Sequence, residues 1–86
     1  MTRSIGGNYW DQFTTNSWIR GDDGMYTMTI SNDLHGLGMY CHFELTRLDN
    51  GCYKSAAVHY EISSTGDITV KSSEPFAGNY FVKAGA

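Results

Sequence analysis

Hydrophobic and polar residues alternate with a period of two along much of this chain, as half-buried β-strands require. The clearest stretch runs from Gly38 to Ile62 and centres on Asn50-Gly51. That pair favours a type I′ turn, which needs positive φ at both central positions. Taken as a two-residue loop, it predicts one long hairpin with Leu45 facing Ala56, Phe43 facing Val58 and Cys41 facing Tyr60. Directly opposed residues share a face, so Met39, Cys41, Phe43, Leu45, Ala56, Val58 and Tyr60 form the expected core face. The other face carries His42 opposite His59, with Glu44 and Glu61 on the diagonals.

The same alternation places Tyr26, Met28 and Ile30 on one side of a strand over Met25 to Ile30, after a short strand at Ser17 to Arg20. Ser31 to Gly36 breaks the pattern and is expected to cross over to the central hairpin. A three-residue loop, Ser64-Thr65-Gly66, sets Ile62 opposite Ile68 and Tyr60 opposite Val70, with Gly66 in the left-handed position. Ser72 to Gly78 reads as a connector holding the single proline, Pro75, with Phe76 as an apolar plug. Asn79 to Lys83 reads as a last strand, an edge able to pair between chains. Residues 1–16 read as an irregular lead-in, with a short first strand as the alternative there, and residues 84–86 as a tail, flanking one domain over residues 17–83. The count is six to seven short strands without a helix. The expected fold is an all-β antiparallel sandwich of immunoglobulin-like type, with a small open barrel as the alternative.

Composition narrows the function classes. A chain of 86 residues with 41% hydrophobic and 14% aromatic residues has enough apolar surface for one compact core. A net charge of −3 with scattered Lys and Arg argues against nucleic acid as a partner. No apolar run reaches the length of a membrane span, and the N-terminus has no apolar leader, so no membrane partner is expected. The hairpin register separates Cys41 from Cys52 by about 25 Å, far beyond disulfide reach, so both are expected as free thiols with Cys41 buried.

Chemistry-bearing groups are few. His42, His59 and Glu44 on one sheet face have the donor set for Zn²⁺, although a solvated face collects the same residues without binding anything. Arg20-Gly21-Asp22 matches the integrin-binding tripeptide in letters, and Asp22-Asp23-Gly24 satisfies a turn before it satisfies a calcium loop. His35 lies near Asp33 without a nucleophile context, and neither cysteine has a placed activating histidine, so no enzyme and no cofactor are expected. Trp10, Tyr40 and Tyr53 are the candidate binding surface, suited to protein or sugar contacts.

The order Phe13, Trp18, then Asp23 to Ile30, then His35-Gly36, followed by Gly66-Asp67-Ile68-Thr69-Val70 and Pro75-Phe76-Ala77-Gly78, resembles small β-modules of tailed-phage and prophage structural proteins. The resemblance covers about four-fifths of the chain. It implies a non-enzymatic, tail-associated or virion module that contacts other tail or virion proteins or a host-surface glycan. It also implies location in the virion or the bacterial cytoplasm. His35, Gly36, Asn50, Gly51, Gly66, Pro75, Phe76 and Gly78 are then structural. Asn79 departs from the basic residue expected after the closing glycine, and the oligomeric state is left open.

Overall fold

The computed structural model describes residues 3–5 and 8–84, the first three of them by their strand alone. Two antiparallel sheets pack face to face as the expected sandwich. One has the order β1 (Arg3–Ile5), β2 (Asn8–Phe13), β9 (Gly78–Ala84), β5 (Cys41–Asp49), β6 (Cys52–Ala56). The other has the order β3 (Ile19–Arg20), β4 (Tyr26–Ile30), β8 (Ile68–Ser72), β7 (His59–Ile62).

The inner faces bury Tyr9, Phe13, Phe43, Leu45, Tyr80 and Val82 from the first sheet and Met28, Ile30, Ile68 and Val70 from the second. Trp18 and Phe76 close one end. Their rings lie 5.2 Å apart, and Phe13 meets them edge-on at 5.8 and 5.5 Å. The Trp18 indole Nε1 donates to the Phe76 carbonyl at 2.8 Å, so the plug is both buried and hydrogen-bonded. Each large buried side chain contributes about 1.5–3 kcal/mol relative to exposure, which makes this aromatic end a main source of stability.

Several expectations are corrected. The nine strands among the described residues exceed six or seven because Arg3–Ile5 and Asn8–Phe13 are strands within the expected lead-in, and because the second arm of the long hairpin is two strands, Cys52–Ala56 and His59–Ile62. In Asn8–Phe13, Tyr9 and Phe13 supply core residues, and β9 supplies the ladder. Of the lead-in and tail, residues 1–2, 6–7 and 85–86 lie outside the described residues, while Ala84 belongs to β9. The crossover contains one helical turn, α1 (Asn32–His35), because Ser31 accepts from the Asp33 N–H as N-cap and Gly36 closes the turn with φ 65°. Asn79 to Lys83 is not an edge. It runs between β2 and β5, and the sheet edges are β1, β6, β3 and β7.

The largest correction concerns the long hairpin. The Asn50-Gly51 turn has φ 51° and 78°, and the register from Asp49↔Cys52 to Leu45↔Ala56 is the expected one. Beyond Ala56 the chain leaves the sheet at Ala57-Val58 and joins the opposite sheet as β7, with Tyr60 opposite Val70 and Ile62 opposite Ile68. A strand that turns the corner of a sandwich keeps its inward side inward, so alternation continues through the change of partner. Phe43 therefore does not face Val58, nor Cys41 Tyr60. Met39 and Tyr60, expected in the core, are 42% and 39% exposed.

Candidate functional site

The corner at Ala57-Val58 separates the two histidines. His42 lies opposite Lys83 in one sheet and His59 opposite Lys71 in the other. Glu44 is engaged by Lys83 at 3.1 Å, and His59 approaches Glu61 at 3.7 Å. His42, His59 and Glu44 do not converge, and no metal-binding group of three such side chains occurs among the described residues.

Among the described residues His35 is the one buried polar or charged side chain, and it works on the backbone. Its Nδ1 accepts from the Leu37 N–H at 3.0 Å and its Nε2 lies 2.6 Å from the Gly66 carbonyl oxygen. With Nδ1 accepting, the neutral ring carries its proton on Nε2 and donates to Gly66. Asp67 accepts from the Asn32 N–H at 2.8 Å, and Asn32 Oδ1 accepts from Gly38 N–H at 2.9 Å. The loop expected at Ser64-Thr65-Gly66 forms, with Gly66 at φ 89°, and a Cβ there would meet Asn32 Oδ1 at 2.7 Å. This end of the sandwich is a latch between α1 and the β7–β8 loop.

Gly78 and Pro75-Phe76 sit at the opposite end. Leu48 N–H donates to the Ala77 carbonyl at 2.8 Å, and the Arg47 guanidinium lies 5.0 Å over the Phe76 ring while bonding Glu74 at 2.6 Å. Asp23, on the β3–β4 turn, accepts from the Met25 N–H at 2.9 Å and pairs with Lys71 at 3.3 Å. Both hold its carboxyl below the usual range, the backbone bond first. Arg20, Gly21 and Asp22 are exposed beside it.

The three candidate aromatics do not form one surface. Tyr40 is 76% exposed just before β5, and Tyr53 is 48% exposed opposite Leu48 near the far end of that strand. The eight residues of strand between Tyr40 and Leu48 span about 25 Å. Trp10, half-buried on β2, stands directly opposite Phe81 on β9, and Phe81 opposite Glu44. Trp10 and Phe81 line a depression of about 270 Å³ with Asn8 and Lys83. Sequence reasoning passed over Phe81, although its parity in β9 puts it on the outer face with Trp10.

A second cavity, about 210 Å³, opens where the chain turns the corner and is lined by Phe43, Leu45, Ala56, Val58, Tyr60 and neighbouring polar atoms. Cys41, at the start of the strand beside it, is half-buried, and burial pushes its thiol up. Cys52 is exposed and, like Cys41, free. Among the described residues no helix is long and apolar enough to cross a membrane. No protein-family model, no curated protein and no solved structure matches this chain.

Proposed function

We propose that the protein is a non-enzymatic phage or prophage structural module, associated with the virion or tail, that acts through protein–protein contact. The residue order from Phe13 to Gly78 supports the phage setting by resemblance. The observation that carries the contact role is the half-vacated edge of β5. Its residues pair with β6 only from Leu45 onward, beside a cavity lined by apolar side chains together with Glu44 and Ser55. The buried polar machinery, His35 with Gly66 and Leu37, is occupied in holding the frame. Gradient-purified particles from the bacterium that encodes the chain test this reading. The chain is expected to co-migrate with particles and to cross-link to a tail or virion protein. Its absence from particles would overturn the assignment.

A second reading, recognition of a host-surface glycan, draws on the opposed Trp10 and Phe81 with Asn8 and Lys83 around them. Aromatic faces flanked by polar donors suit sugar rings. A glycan array run with the wild type and with Trp10→Ala and Phe81→Ala checks it. Sugar binding abolished by both substitutions supports the glycan role, and no binding removes it.

A further inference from the structure

The turn at Asn50-Gly51 fixes which way the β5 backbone points. In a hairpin with a two-residue loop, the residues flanking the loop exchange both ladder hydrogen bonds, and every second pair does the same. Asp49↔Cys52, Arg47↔Lys54 and Leu45↔Ala56 are those pairs. Continuing the parity, Phe43 and Cys41 aim their N–H and C=O groups toward the row that β6 occupies, whereas His42 and Glu44 aim theirs at β9. Yet β6 ends at Ala56, and the chain departs to the other sheet. Among the described residues no strand occupies the row opposite Cys41 to Glu44.

Directly beneath that row lies the cavity of about 210 Å³ whose apolar lining comes from Phe43, Leu45, Ala56, Val58 and Tyr60. A residue placed opposite Phe43 would point inward, into it. A residue opposite Glu44 would point outward, beside a carboxylate whose side chain is 61% exposed even while paired with Lys83. We infer that this gap is a strand-addition site for an extended segment of a partner protein, about four residues long, with an apolar residue opposite Phe43 and a basic residue opposite Glu44. The main chain supplies the ladder bonds, the cavity selects the apolar side chain and Glu44 selects charge. A second copy of the chain fits less well. Its own inward residue at this edge, Phe43, is 5% exposed in its own core and cannot fill the cavity of a neighbour.

This inference rests on the reading of the protein as a contact module, and its test is separate from that of the phage setting. Synthetic peptides alternating Lys with Val or Ile, and matched peptides alternating Glu with the same residues, are added to the full chain. Amide hydrogen exchange is followed by NMR. The Lys peptides are expected to slow exchange of the Phe43 and Cys41 amides about tenfold or more. They should bind about tenfold more tightly than the Glu peptides, and Glu44→Lys should reverse that order. Unchanged Phe43 exchange with every peptide overturns the proposal. So does protection that rises with protein concentration alone, which assigns the edge to a second copy, and so do shifts confined to Trp10 and Phe81. Loss of peptide binding with particle association intact removes only the edge site. Peptide binding by a chain absent from particles removes only the phage assignment.

Discussion

His35 Nε2 stands 2.6 Å from the carbonyl oxygen of Gly66, thirty-one residues away in sequence, and so ties the α1 turn to the loop joining β7 and β8. The other ring nitrogen accepts from Leu37, so one imidazole satisfies two backbone groups at the end of the sandwich. Removing it leaves a buried carbonyl and an amide without partners and opens a cavity. His35→Ala is therefore expected to destabilise the fold by roughly 2–4 kcal/mol. Urea unfolding monitored by tryptophan fluorescence measures it, and a midpoint unchanged from wild type would show the latch to be idle.

Two glycines with different reasons for being glycine separate experimentally. At Gly78 an added methyl would be driven into the Thr46 carbonyl oxygen, a backbone atom of the adjacent strand that cannot step aside. Gly78→Ala should cost about 3 kcal/mol or more. Gly51 has open space around its α-carbon and needs only its φ of 78°. Gly51→Ala should cost about 1–2 kcal/mol. Denaturation midpoints of the two variants, side by side, give the ranking.

The thiols should react at very different rates. Cys52 is exposed at the hairpin turn, while Cys41 is half-buried and its thiol is held protonated to higher pH by burial. At neutral pH a thiol reagent should modify Cys52 about tenfold faster than Cys41 or better. Non-reducing peptide mapping should find no bridge between them, since a Cys41–Cys52 bond is incompatible with the ladder.

Asp23 makes the stability of the β3–β4 turn depend on pH. Its carboxyl is depressed by the Met25 N–H and by Lys71, so the ionised form is favoured in the folded state. A depressed acid adds stability that is present above its unfolded value and is lost as pH falls through the folded value. Asp23→Asn should lower Tm at neutral pH, and the gap should close on acidification below the ordinary carboxylate range of about 4. Added salt should shrink only the part that comes from Lys71. A gap that stays constant from neutral to strongly acid pH would show that the charge is irrelevant.

Much of the sandwich is legible along the chain because each of its signals is local. Positive φ at Asn50 and Gly51, the Gly66 loop with Ile62 opposite Ile68, and the burial of Phe43, Leu45, Met28, Ile30, Ile68 and Val70 follow from turn chemistry and a period of two. The partner of each strand half is not a local property. Alternation reports which side of a strand is buried and is blind to which neighbour completes its ladder, so a strand that bends at Ala57-Val58 reads the same as one that runs straight. Only the tertiary structure separates His42 from His59, places β9 between β2 and β5, and recruits Asn8–Phe13 as a strand. Burying both sheets' apolar faces at once requires the chain between the two turns to serve one sheet with Cys52–Ala56 and the other with His59–Ile62. The open edge at Phe43 is the consequence of that division.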